Sequence, residues 1–406
     1  MTLTRTRWVP IGLLVVVGIA AGMQFAKVAA VFLPVAAAFD APETVAALFV
    51  SAPAVVGMVL GLTASVLAAR IGFRRVIVGC LAIGAILSLV QSFLPPLPVF
   101  LGARVLEGIA HLGLVISCPV LIILLSAPRH VSLAMSLWGA FFGLAFAFAG
   151  WLAPIVEQAG GVGAVFLGHA ILLAVLLAAV LLVLPHVPGE QPNREAHPEG
   201  FFRAHVDAYR SPRQFLPGVV FIFHTLMYVP LVTFVPLFAD DASIAGVLLV
   251  WMPLVSIIGT IAAGFVGQYT TTPPVVLIVG YAGVAVLVIA TWALLAVEIP
   301  ILLVPLALMF FSGLIQGAAF GLIPSLSTDP TVTSRANGVL TQLGNLGSTV
   351  GPPLFASLIA GTGAAGFAPV MWLVVALCAG GGIMSAIALR LTGARPLRSA
   401  VPDKAG

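Results

Sequence analysis

The sequence predicts an all-α membrane protein of about twelve transmembrane helices, arranged as two pseudo-symmetric six-helix bundles. Three observations lead there. The 406 residues are 61% hydrophobic and only 7% charged, with a mean hydropathy of +1.20. A water-soluble domain of that size would lack the charge to cover its surface. The chain is also a succession of apolar runs, each long enough to cross about 30 Å of hydrocarbon as a helix. None shows the apolar/polar alternation of an outer-membrane strand. Finally, the basic residues between the runs all fall on one side of an even-numbered topology.

The first run, 9–38, follows Arg5 and Arg7 and ends in Ala36-Ala37-Ala38, which imitates a cleavage site. It is too long for a signal-peptide core and holds Gln24 and Lys27, so it reads as an uncleaved first span. Spans two to six are expected at 43–69, 75–94, 97–126, 131–156 and 162–185. The stretch 186–214 carries Pro188, Gly189, Pro192, Asn193 and Pro198 amid mixed charges, the composition of a linker. Within it, Phe201 to Tyr209 suits a short helix on the membrane surface. Spans seven to twelve follow at 215–238, 243–268, 273–296, 299–326, 334–360 and 365–390. The expected organisation is therefore a bundle at 1–185, a linker at 186–214, a bundle at 215–391 and a tail at 392–406.

Charge fixes the orientation. Arg70, Arg74 and Arg75 follow span two, Arg129 follows span four, and Arg194, Arg203, Arg210 and Arg213 lie in the linker. Arg335 follows span ten, and Arg390, Arg395, Arg398 and Lys404 follow span twelve. The opposite side carries only Asp40, Glu43, Glu157, Asp240, Asp241 and Glu298. The positive-inside rule then places both termini and the linker in the cytoplasm, in a multi-pass protein of the inner (plasma) membrane.

The halves repeat. Gly108 and Pro119 recur as Gly313 and Pro324, Leu48 and Pro53 as Leu248 and Pro253, and Gly143 and Gly150 as Gly344 and Gly351. Phe32 and Pro34 recur as Phe234 and Pro236, and all offsets lie between 200 and 205.

Two such halves joined by a cytoplasmic linker resemble the major facilitator superfamily over nearly the whole chain. The family's loop motif Gly-x-Leu-Ala-Asp-Arg-x-Gly-Arg-Arg is matched after span two by Leu67, Ala68, Arg70, Gly72, Arg74 and Arg75, with Ser65 and Ala69 replacing its glycine and aspartate. Its span-four pattern Arg-x-x-Gln-Gly is met by Arg104-Val105-Leu106-Glu107-Gly108. The resemblance implies secondary transport by alternating access, with Arg70, Gly72, Arg74 and Arg75 in cytoplasmic gating. The Gly-Pro pair that marks many exporters in span five is replaced by Gly150-Trp151-Leu152-Ala153-Pro154, which points to uptake.

Three charges lie deep inside apolar runs: Lys27, Arg104 and Glu107. Each costs on the order of 2.5–3.5 kcal/mol to place at the bilayer centre. Arg104, Glu107 and His111 sit at i, i+3 and i+7 and so share one helix face. Arg104 is a candidate to hold a substrate anion, and Glu107, with His111 beside it, to take up and release a proton. A permanent structural ion pair accounts for the same spacing. Lys27 has no acid in its own helix and suits an anion-attracting cation with Gln24 as a donor, or a partner that locks Glu107. His224, Tyr228, Gln316, Gln342 and Asn345 are candidate substrate-binding groups in the second half, and interhelical hydrogen bonding explains each of them as well. His169 reads as a packing residue.

Two cations and one anion make a small organic anion the expected cargo, carried as proton-coupled uptake. A proton-coupled exporter of drugs or metabolites, with Glu107 alternating between a proton and a lipophilic cation, is the alternative. A non-transporting membrane receptor is the second. No catalytic constellation, nucleotide loop or metal set is present, and Cys80, Cys118 and Cys378 lack partners at ligand spacing. The chain is therefore expected to be no enzyme, to need no cofactor or metal and to bind no nucleic acid. Its expected partners are the solute, protons and the lipid bilayer, and it is expected to be a monomer.

Overall fold

The computed structural model describes residues 5–127, 130–185, 206, 209–239, 241–297, 301–326, 330–360 and 366–392. Most of the expected linker, of the surface helix at 201–209 and of the tail lies outside these residues. The described chain is helical, without strands, and divides into two compact units, Met1–Gly200 and Phe201–Gly406.

The first unit contains α1 (Trp8–Ala30), α2 (Phe32–Ala38), α3 (Glu43–Ser51), α4 (Ala54–Ile71), α5 (Phe73–Ser92), α6 (Leu97–Leu125), α7 (Val131–Gly139) and α8 (Phe141–Val183). At about 1.5 Å per residue, the 23 residues of α1 reach across a hydrocarbon core. Expected span one is interrupted at Val31, whose φ of −122° and ψ of 42° leave the helix. Pro34 explains the break, because its ring opposes the carbonyl of Ala30 and it has no N–H to donate. Span two is interrupted between α3 and α4 by Pro53 for the same reason, with consequences for the site.

Expected spans five and six are joined more tightly than the sequence suggests. The chain forms short α7 and then α8, two helices that meet at a kink at Gly161, whose φ of 74° and ψ of 179° are not helical. Only glycine adopts that conformation readily, so Gly161 joins two helical arms end to end without a loop.

In the second unit lie α9 (Pro212–Phe234), α10 (Ala242–Tyr269), α11 (Pro273–Ala296), α12 (Leu303–Leu326), α13 (Pro330–Ile359) and α14 (Phe367–Thr392). Asp241 caps α10 by accepting the Ser243 N–H at 2.7 Å, which holds its carboxyl below the usual carboxylate range. Ten helices among the described residues are long and apolar enough to cross a membrane. The difference from twelve has two sources. Phe141–Val183 counts once despite its two arms, and Pro330–Ile359 carries Thr333, Arg335, Asn337, Thr341, Gln342 and Asn345 and is too polar to count.

In the first unit, α6 packs on α4 and α5, and α8 packs on α1 and α5. In the second, α12 packs on α10 and α11, α13 on α9, and α14 on α11. The same pairing recurs, as an internal repeat requires. The first unit's core is a layer of Leu14, Val17, Leu81, Ala110, Leu114 and Leu173, from the four helices α1, α5, α6 and α8.

Candidate functional site

These four helices each contribute a polar side chain to one buried cluster. Glu107 of α6 lies at its centre and is fully buried. Its Oε1 accepts from Lys27 Nζ of α1 at 2.6 Å and from Ser88 Oγ of α5 at 3.2 Å. Its Oε2 accepts from Gln91 Nε2 of α5 at 3.1 Å and from Arg104 Nη1, one turn before it on α6. His169 of α8 completes the group, with Nδ1 2.9 Å from Lys27 Nζ and 3.0 Å from Ser88 Oγ. Lys27 and Arg104 are 1% and 0% exposed, so neither reaches outward toward lipid.

Local sequence explains why Arg104 fits. Pro53 has no N–H for the carbonyl of Phe49, so that oxygen is left over when α3 stops. Arg104 Nε donates to it at 2.8 Å. Gly108, one turn further along α6, has the carbonyl of Pro53 where a Cβ would stand, which lets α6 approach the α3–α4 junction closely. Arg104 Nη2 donates to the Gln24 carbonyl at 2.7 Å. All three nitrogens of the guanidinium are thus engaged, two by backbone and one by Glu107.

Side chains also bind carbonyls of α1 directly. His169 Nε2 stands 3.0 Å from the Ala20 carbonyl and His111 Nδ1 2.9 Å from that of Ala21. A carbonyl only accepts, so each of these nitrogens carries a proton, and His169 Nδ1 is left as an acceptor. An edge-to-face chain of phenylalanines closes one side. Phe166 lies 5.0 Å beneath Lys27 Nζ and 5.4 Å from Phe100, which packs on Phe49.

The cluster holds two formal cations and one carboxylate. The first unit's other described acids, Asp40, Glu43 and Glu157, lie outside the long spans or at the Gly161 bend. The arrangement therefore carries one positive charge without a buried counter-charge.

Of the sequence candidates, the fold brings Lys27, Arg104 and Glu107 together. His111 faces α1 and packs its ring edge-on to Phe25 at 4.8 Å, outside the hydrogen bonds of Glu107. The Gln24 amide is fully buried, and neither its Oε1 nor its Nε2 has a hydrogen-bond partner. His169, read from sequence as packing, is instead a member of the cluster. Ser88 and Gln91 escaped the sequence reading. Their only signal is two polar residues at i, i+3 within an apolar span.

The second unit holds neutral pairs. His224 Nε2 meets Ser312 Oγ at 3.0 Å, and Tyr228 OH meets Ser256 Oγ at 3.2 Å. Gln316 is half-buried on α12. Gln342 Oε1 accepts from Tyr209 OH at 2.9 Å, and Asn345 Nδ2 donates within its own helix to the Thr341 carbonyl at 2.8 Å. Among the loop-motif residues, Arg70 and Arg75 are exposed, and Gly72 ends α4 at φ 98°. Arg74 Nε donates to the Leu184 carbonyl at 3.2 Å, tying the start of α5 to the end of α8. Among the described residues no group of His, Cys, Asp or Glu is arranged to hold a metal.

A family model described as Major Facilitator Superfamily matches residues 13–352. No curated protein matches the chain. Similar solved structures include a bacterial homologue of the human lysosomal transporter Spinster in its inward-facing, unoccupied conformation. It is 13% identical at a TM-score of 0.71, over 95% of this chain and 97% of that one. The same homologue in its inward-facing, occupied conformation is 14% identical at a TM-score of 0.67, over 95% and 94% of the two chains. At such identities the likeness is one of fold.

Proposed function

The chain belongs to the major facilitator superfamily, a family of membrane transporters and not of enzymes, and from that premise we propose proton-coupled uptake of a small organic anion. The reading takes about twelve spans in two bundles, set in the inner membrane as a monomer with both termini cytoplasmic and rocking by alternating access.

The observation that carries the proposal is the convergence of Lys27 and Arg104 on the single carboxylate of Glu107. Lys27 and Arg104 share a single carboxylate, and an uncompensated charge at this depth is expensive. A substrate carboxylate would take the place of the Glu107 carboxylate between the two cations, so that the cluster keeps the same net charge through the exchange. It can bind both cations only if Glu107 gives them up, and Glu107 gives them up when it takes a proton. Anion and proton then enter together. The Gln24 amide, whose donor and acceptor have no partner, lies one turn from Lys27 and would serve the same cargo. His224, Tyr228, Gln316, Gln342 and Asn345 are the substrate-binding groups proposed for the second unit. Arg70, Gly72, Arg74 and Arg75 would gate the cytoplasmic side.

A thermal-unfolding screen of the purified protein against acetate, lactate, succinate, citrate and benzoate at pH 5 and pH 7 tests this. At least one carboxylate is expected to stabilise the wild type, more strongly at the lower pH, and to lose that effect in Lys27→Ala. Stabilisation by organic cations alone, unaffected by Lys27→Ala, would overturn the reading in favour of drug export.

A further inference from the structure

Lys27 is held as a free ammonium ion would be held. Its Nζ has three N–H donors. Three acceptors surround it: Glu107 Oε1 at 2.6 Å, His169 Nδ1 at 2.9 Å and Ser88 Oγ at 3.0 Å. They come from α6, α8 and α5, so none belongs to the helix that carries the lysine. The acceptor role of His169 is set by its other nitrogen, which spends its proton on the Ala20 carbonyl. The face of Phe166, 5.0 Å from Nζ, adds a surface that attracts a weakly hydrated cation.

Neutralising Glu107 does not require this shell, because Arg104 already pairs with the same carboxylate. Ser88 and His169 have a different effect: they match every donor of one ammonium group in a site with no water access. The spacings are hydrogen-bond lengths, and the ligand set of one carboxylate, one hydroxyl, one imidazole and an aromatic face suits an N–H cation.

We propose that Glu107, Ser88 and His169 form a binding shell for an ammonium-class cation, which Lys27 fills from within the chain as a tethered co-ion. The shell describes the state in which Glu107 is ionised and no solute is bound, and so does not depend on which solute is carried. Ser88 and His169 are positioning residues for Lys27. A co-ion that cannot dissociate cannot be transported, so no free alkali cation enters the cycle at this place.

Cutting the tether tests it. Lys27→Ala removes three methylenes and the ammonium, a space with the shape of n-propylammonium. It also leaves Arg104 and Glu107 as a balanced pair. The variant, purified in detergent with the amine present throughout, is to be compared by thermal unfolding in ammonium, ethylammonium, n-propylammonium, tetramethylammonium and sodium chlorides at equal concentration. Ethyl- or n-propylammonium is expected to raise the midpoint saturably by about 3 °C or more. Tetramethylammonium, which has no N–H, and sodium are expected to do nothing. The wild type, its shell already filled, is expected to respond to none of them. Adding His169→Ala is expected to weaken the response at least about tenfold in concentration, the loss of one charge-assisted hydrogen bond.

Equal response of wild type and variant, or no preference for alkylammonium, would overturn the proposal. If Lys27→Ala gives no folded protein in sodium chloride, the readout becomes recovery of monodisperse protein. Recovery with n-propylammonium but not tetramethylammonium supports the shell, and no recovery with either overturns it. Failure here would leave carboxylate binding by the wild type untouched, so the two proposals fail separately.

Discussion

At the scale of single residues, the account turns on a count of charges. Removing Glu107 and removing Lys27 break the same 2.6 Å contact, yet they are not equivalent. Glu107→Gln leaves two buried cations facing no carboxylate, and is expected to cost about 3–5 kcal/mol. Lys27→Ala leaves a single matched pair and is expected to cost less, mainly through the space it vacates. Thermal unfolding of both variants in detergent checks the order, and a more stable Glu107→Gln would contradict the charge inventory. Gln24 gives a second residue-level test. Its buried amide is unpartnered, and such a group costs about 1–3 kcal/mol. Gln24→Leu is expected to raise the unfolding midpoint while weakening carboxylate stabilisation. Loss of stability would show the amide to be structural. Lys27, Arg104 and Glu107 were legible in the sequence because a formal charge within an apolar run stands out. Ser88, Gln91 and His169 were not, because a neutral polar residue in a span is common and its partners lie on other helices. The free carbonyl of Phe49 follows from Pro53, but only the packing of α6 against α3 shows that Arg104 takes it.

At the scale of elements, breaks in helices matter as much as the helices. Hydropathy finds apolar runs and is blind to an interruption that stays apolar. It therefore missed the breaks at Val31 and Pro53, and it separated spans five and six where two helices meet at the Gly161 kink, without showing how short the junction is. The proline positions carried the missing information for the first two. For Gly161, glycine at a run junction reads as a loop just as well. Gly161→Ala forces a Cβ onto φ 74° and is expected to cost about 1–3 kcal/mol, seen as a lower unfolding midpoint. An unchanged midpoint would mean that the arms meet with a different backbone. Gly108→Val is expected to push α6 away from the Pro53 carbonyl and so loosen Arg104 from Phe49. A lower unfolding midpoint would report it, and an unchanged midpoint would argue against the close approach.

At the scale of the whole molecule, a repeated pairing of helices carries unequal chemistry. Under the offset of 205 that relates Gly108 to Gly313, Glu107 corresponds to Ser312, which meets His224 of α9. Among the described residues, the first unit buries Lys27, Arg104 and Glu107, where the second pairs His224 with Ser312 and Tyr228 with Ser256. The boundary between the two compact units, Met1–Gly200 and Phe201–Gly406, falls within the polar stretch that the sequence marks as a linker. The inequality was legible only as a difference in residue type. If an anion takes the place of the Glu107 carboxylate on Lys27 and Arg104 as Glu107 takes a proton, solute and proton must move together. Proteoliposomes loaded with a pH-sensitive dye and given the most stabilising carboxylate from outside measure that coupling directly. The account predicts that the lumen acidifies in step with carboxylate uptake, and that a collapsed pH gradient abolishes accumulation. Carboxylate uptake with no proton movement would contradict it.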